Sequence, residues 1–172
     1  MDTDSLNWYA LKTSSLNRTE DFLRPLCSDI YVPLAATKHP SGKSILRPLI
    51  PKVMFVETSQ KQVETFERLA KEKLSPEWLK ILRMPAFDII EPIPAKQMHL
   101  FRLLTADDGT RCQVFNKTTL SHGSRVRVTG GVFEGYEGYV QRIERNRHVV
   151  VKIDGICCIA LPFIHPDLLM TI

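Results

Sequence analysis

The chain has 172 residues, 44% of them hydrophobic and 24% charged, with a formal net charge of +4. That composition suits one folded domain or two small ones and excludes wholesale disorder. No apolar run reaches the ~18 residues of a membrane span, and the opening Met1-Asp2-Thr3-Asp4 lacks the basic-then-apolar character of a secretory signal. The cysteines Cys27, Cys112, Cys157 and Cys158 contain no C-x-x-C pair, which argues against a zinc site and a disulfide framework. The expectation is a cytoplasmic protein with reduced thiols, no metal and no cofactor.

Trp8-Tyr9-Ala10-Leu11 reads as a strand. Asn17-x-x-Glu20 reads as a helix start, with Phe22, Leu23 and Leu26 as its buried stripe and Pro25 ending or kinking it near Arg24. Ile30–Leu34 reads as a second strand, followed by a turn at His39-Pro40-Ser41-Gly42. The apolar runs Ile45–Ile50 and Val53–Val56 are broken by Pro48 and Pro51, which suits an edge or bulge. Ser59 caps the next predicted helix, with Val63, Phe66, Leu69 and Ala70 inward and Lys61, Glu64, Glu67, Arg68 and Lys71 outward. Ser75-Pro76-Glu77 predicts a further helical turn carrying Trp78. Pro94 predicts the first turn of another helix, whose apolar face is Met98, Phe101 and either Leu103 or Leu104.

Residues 106–121 read as a connection between two domains, 1–105 and 122–172. The second is all-β in character. Arg125-Val126-Arg127-Val128 alternates with period two, and the runs Val149–Ile153 and Ile156–Ala160 are split by the hairpin signal Asp154-Gly155. Cys157 and Cys158 fall in the last run, on opposite faces, one of them as a small core residue.

Two stretches are basic and free of acids. One lies between Asp29 and Glu57 and holds Lys38, Lys43, Arg47 and Lys52; the other lies between Asp108 and Glu134 and holds Arg111, Lys117, Arg125 and Arg127. Each reads either as a polyanion contact or as solvated loops and edges. Enzyme chemistry finds no footing. Ser41-Gly42-Lys43-Ser44 resembles the end of a phosphate-binding loop, but Thr37 stands where that loop needs glycine. The histidines are scattered, without metal-ligand spacing. The expectation is a binding protein and not an enzyme.

Trp8-Tyr9-Ala10-Leu11, Ile30-Tyr31-Val32-Pro33-Leu34 and Arg47-Pro48-Leu49-Ile50-Pro51-Lys52-Val53-Met54-Phe55-Val56 resemble the signatures of the NusG N-terminal domain. Gly123 to Val140, with Gly130-Gly131-Val132-Phe133-Glu134-Gly135 at its centre, resembles a KOW motif. The order matches that of the family across nearly the whole chain. Departures are Ile50-Pro51-Lys52-Val53 where the family has Phe-Pro-Gly-Tyr, and Val132 where it has proline. They suggest a specialised paralogue, and Pro92–Met98 is similar to the corresponding stretch in UpxY-type members.

The resemblance implies an α+β fold. It would pair an NGN-like antiparallel sheet, flanked by helices, with a small SH3-like KOW barrel. It implies a monomeric transcription elongation and antitermination factor that grips the clamp of RNA polymerase and suppresses pausing. Tyr9, Ile50, Val53 and Phe55 would form the apolar polymerase surface, with Ile50 and Val53 the strongest candidates and Phe55 and Trp8 also readable as core. Thr65, beside a buried Phe66, would touch the polymerase lobe opposite the clamp. Lys38, Lys43, Arg47 and Lys52 would lie near upstream or non-template DNA. Phe133 and Tyr136 would receive Rho or a small-subunit ribosomal protein. Unlike RfaH, whose C-terminal domain is helical before activation, the second domain is expected to be a constitutive barrel. The alternative is a ribosome-associated or RNA-binding KOW protein, against which the modest +4 charge counts.

Overall fold

The computed structural model describes residues 5–83, 88–106, 113–115, 123–143, 146–153, 157–162 and 164–172. It is a mixed α+β chain whose sheets are all antiparallel. In order, the elements are β1 (Asn7–Thr13), α1 (Leu16–Leu23), β2 (Asp29–Tyr31), β3 (Leu34–Lys38), β4 (Ser44–Pro48), β5 (Val53–Thr58), α2 (Gln60–Lys71), β6 (Leu79–Ile81) and α3 (Ala95–Thr105). There follow β7 (Gln113–Phe115), β8 (Arg125–Val128), β9 (Glu137–Ile143), β10 (Asn146–Ile153), β11 (Cys157–Ala160) and β12 (Leu169–Thr171).

The first sheet runs β2-β5-β1-β6. Its inner strands β1 and β5 are apolar on both faces because both faces are covered. Trp8, Ala10, Val53 and Phe55 pack with Met98, Phe101 and Leu104 of α3. Tyr9, Leu11, Met54 and Val56 pack with Leu23 of α1 and with Val63 and Phe66 of α2. Each such burial contributes about 1.5–3 kcal/mol. Of the two leucines left open by the sequence, Leu104 is the buried one and Leu103 is exposed.

Local signals explain most element boundaries. The N–H of Gln62 donates to Ser59 Oγ at 3.3 Å, the expected cap of α2. Helix α1 gives way to a 3-10 turn over Arg24–Leu26 with Pro25 inside it. Leu26 therefore leaves the helical phase and is exposed, not part of the buried stripe. The α1 cap position is Ser15 rather than Asn17; the helix is instead tied to β1 by the buried hydroxyl pair Thr13–Thr19, 2.6 Å apart.

Several expectations are corrected. Ile30–Leu34 is not one strand: β2 ends at Tyr31, Pro33 intervenes, and Leu34 begins β3. Ser75-Pro76-Glu77 is not helical. Ser75 Oγ engages the backbone of Glu77, and the chain turns directly into β6. Glu67, expected on the solvent face of α2, is buried. Its Oε1 accepts the N–H of Ile81 at 3.2 Å, and its Oε2 pairs with Arg83 at 2.5 Å. The carboxylate thus closes an open backbone donor on edge strand β6.

The second sheet runs β12-β8-β9-β10-β11-β7. Strand β7 lies inside the span expected to be connection, yet it pairs with β11 through Gln113↔Ala160 and Phe115↔Cys158. A three-residue strand carries too little periodicity to be seen in sequence. Strand β12, likewise unforeseen, pairs with β8. Cys157 and Cys158 do lie on opposite faces, but both are buried, since β11 is covered on both sides. The Asp154-Gly155 hairpin lies outside the described residues, as do Cys112, Arg111 and Lys117.

Candidate functional site

Strands β3 and β4 pair only with each other, forming a two-stranded ribbon apart from the first sheet. Pro33 and Pro48 sit at its base, where each denies the backbone a ladder donor. At its tip the N–H of His39 donates to the carbonyl of Lys43 at 2.9 Å, and Gly42 takes a positive φ of 81°. The Ser41-Gly42-Lys43-Ser44 run is therefore a hairpin turn leading into a strand, not a phosphate loop opening a helix.

Lys38, Lys43, Arg47 and Lys52 are all exposed, and none has a carboxylate within 4.0 Å among the described residues. The second basic stretch behaves differently. Arg125 and Arg127 both pair with Glu137, at 2.9 and 2.6 Å. Among the described residues the two stretches are thus distinguished by their cross-strand neighbours: Arg125 and Arg127 are matched by Glu137, whereas the four cations of the first stretch present unmatched charge.

The Glu137 carboxyl is held below its ordinary pKa of 4.5, chiefly by the hydrogen bonds from Arg127 and then by Arg125. A lowered folded-state pKa stabilises the fold above the unfolded value and is lost as pH falls through the folded one. Acid titration of thermal stability is therefore expected to show a loss below about pH 4.5 that Glu137→Gln flattens. An unchanged acid limb in that variant rules out the contribution.

At the foot of the ribbon, Arg47, Pro48, Pro51 and Lys52 face Ser14, Ser15, Leu16 and Asn17 across an open groove of about 410 Å³. Lys52 has a positive φ of 63°, a region that costs a residue with a Cβ of order 1 kcal/mol or more. It is held there by the N–H of Thr13, which donates to the Lys52 carbonyl at 2.9 Å. Lys52→Gly is expected to leave the melting midpoint unchanged or raise it by a few degrees, since relief of strain offsets glycine's extra chain entropy. A lowered midpoint in a thermal melt makes the lysine side chain part of the fold's support.

The expected apolar surface is divided by the sheet. Directly opposed residues of an antiparallel pair share a face, and the register sets Tyr9 against Val56 but Ala10 against Phe55. Tyr9 therefore packs beneath α1 and α2, opposite Ile50, Val53 and Phe55. Ile50, Val53 and Phe55 do share one cluster, but all three are buried. Val53 opens an inner strand rather than an edge. The cluster continues through Ile93 and α3 to Val126 and Val149 of the second sheet and to Tyr136, just before β9. Thr65 is partly exposed on α2 and donates to the Lys61 carbonyl at 2.9 Å.

The expected anchors of the second half are also turned inward. Tyr136 is buried, with Lys96 Nζ 5.2 Å from its ring centroid and donating to the Gly135 carbonyl at 2.5 Å. Phe133 is partly buried against the same core, and the exposed tip of this turn is Val132, at 74% accessibility.

Burial pushes the Cys27 thiol up to about 11, which leaves it unreactive at neutral pH. Among the described residues no three metal-ligating side chains cluster, and no helix is long and apolar enough to cross a membrane. Fold and site thus define a mixed α+β protein with two antiparallel sheets and a basic two-stranded ribbon. No protein-family model matches the chain, and no curated protein matches it significantly.

Proposed function

We propose that this protein is a NusG-type transcription elongation factor that associates with RNA polymerase and nucleic acid and biases the polymerase away from the paused state. The observation that carries the reading is the isolated β3–β4 ribbon with Lys38, Lys43, Arg47 and Lys52 free of carboxylates. It projects from a helix-flanked antiparallel sheet that precedes a second, all-β sheet, the order the NusG resemblance implies. Such charge steers and positions a protein along a polyanion without reading its sequence.

The polymerase contact would use the face holding Ile50, Val53 and Phe55. That face is buried beneath α3 and in a cluster shared with the second sheet, so docking there requires α3 to move aside as well as the two halves to part. The second half would then be free to present Val132 and Phe133 to its own partner, Rho or a small-subunit ribosomal protein. No covalent chemistry is required. A factor that prefers the unpaused polymerase by about 1.4 kcal/mol shifts the pause equilibrium about tenfold.

The test is a single-round pause assay with purified bacterial core RNA polymerase and the full chain. Shortened pauses are expected, with the effect weakened in a Lys38→Glu, Lys43→Glu variant. Unaltered pausing, together with absence of the polymerase from co-sedimented complexes, overturns the reading. Co-sedimentation with ribosomes instead assigns the chain to the ribosome-associated alternative.

A further inference from the structure

The second sheet carries a cavity of about 280 Å³ at the end away from the Phe133 turn. That turn follows β8, whereas the cavity lies beside Ser124 just ahead of β8, beside Val140 in β9 and beside Arg147 at the start of β10. We propose that it binds a small free carboxylic acid with a compact apolar body, a short aliphatic chain or a single ring, whose carboxylate is taken by Arg147 with Arg142 beside it. The proposal does not depend on the elongation reading, and either can fail without the other.

The pleat of the strands builds the site. Val126 is opposed to Gly138, and Val140 to Val149. Opposed residues share a face, and every second residue along a strand returns to it. Val126, Val140 and Val149 therefore line one face, and Ile164 and Leu169 complete the apolar wall. The same alternation brings Arg142 and Arg147 to this face, opposed to each other two residues nearer the β9–β10 connection. Arg125, Arg127 and Glu137 stand on the other face, where they neutralise one another. His148 also alternates to the other face, where its Nδ1 donates to the Leu161 carbonyl at 3.2 Å.

Like charges directly opposite on paired strands repel. Arg142 and Arg147 are both exposed, and neither has a carboxylate within 4.0 Å among the described residues. An anion beside them offsets that repulsion, and the planar guanidinium of Arg147 matches the two oxygens of a carboxylate. The apolar wall then calls for an apolar body on the same ligand. A volume just under the ~300 Å³ at which ordinary ligand pockets begin limits that body to a few carbons or one ring. An inorganic anion would meet the arginines but leave the valines unused. A nucleotide would exceed the space and set its hydroxyls against apolar side chains without partners.

The experiment is a methyl and amide chemical-shift titration of the full chain with hexanoate and with benzoate. Saturable shifts are expected at Val126, Val140, Val149 and Leu169. Hexanol, which lacks the charge, and acetate, which lacks the body, should each bind at least tenfold more weakly. Arg147→Gln should weaken binding of the acids about tenfold. Arg147→Lys, which keeps the charge without the fork, should fall between that variant and wild type. Arg125→Gln, on the opposite face, should bind as wild type. Binding of either acid with this pattern supports the site. Absence of binding by wild type, equal binding of hexanol, an unchanged Arg147→Gln, or equal weakening in Arg125→Gln overturns it. So does tighter binding of a short peptide ending in a free leucine carboxylate but not of its amide, which would assign the cavity to a protein C-terminus.

Discussion

Gly138→Val is expected to abolish the C-terminal sheet, seen as loss of the dispersed amide signals of β8 to β11 in a nitrogen-proton correlation spectrum. A Cβ at residue 138 would lie 2.5 Å from the Val150 carbonyl oxygen and 2.9 Å from Val149 Cγ1. Neither neighbour can yield cheaply. Val150 is fixed on both sides, opposite Tyr139 of β9 and opposite Ala160 of β11. Val149 is buried in the main cluster. Overpacking of this kind costs about 3 kcal/mol or more, a large share of the stability of any single domain. Gly131→Ala provides the contrast. It has nothing within 4 Å of the added carbon, so only its φ of 80° resists, at about 1 kcal/mol. If both variants melt alike, close approach of the strands is not what requires glycine at 138.

The second large effect is expected at Glu67. Replacement by alanine leaves the Ile81 N–H without its acceptor and Arg83 without its stronger partner. Breaking a buried ion pair by removing one member costs about 3–5 kcal/mol. The Arg83 side chain is 25% exposed, which reduces the expected loss to about 2–3 kcal/mol. Urea denaturation should show this as a lowered midpoint with an unchanged slope. Glu67→Gln keeps a carbonyl acceptor for Ile81 and gives up the charge, so it should fall between wild type and alanine. If glutamine destabilises as much as alanine, the charge alone matters and the edge of β6 needs no acceptor.

Glu67 also shows where sequence reading of this chain ends. Its position on α2, between outward-facing Glu64 and Arg68, places it on the polar side by helical phase alone. Burial follows from β6, a three-residue strand that docks beside α2 and needs an acceptor for Ile81. A partner so remote in the chain leaves no local trace. The two basic stretches teach the same lesson. Both are acid-free in sequence, but β8 and β9 bring Glu137 between Arg125 and Arg127, whereas the β3–β4 ribbon faces no acid among the described residues.

The α+β character was what the family resemblance implied; the sequence by itself determined the Ser59 cap, the end of α1 near Arg24, the apolar face of α3 and the β-rich C-terminal part. These rest on local rules: side-chain periodicity, capping chemistry and the missing donor of proline. Tertiary structure alone decided which apolar residues share a face, because the β1–β5 register separates Tyr9 from Val53 and Phe55. It alone decided which cations remain unmatched, because screening by a carboxylate needs only spatial proximity. It alone brought Ser14–Asn17 against Arg47–Lys52 to form the groove, because residues some thirty positions apart meet only once the sheet has paired.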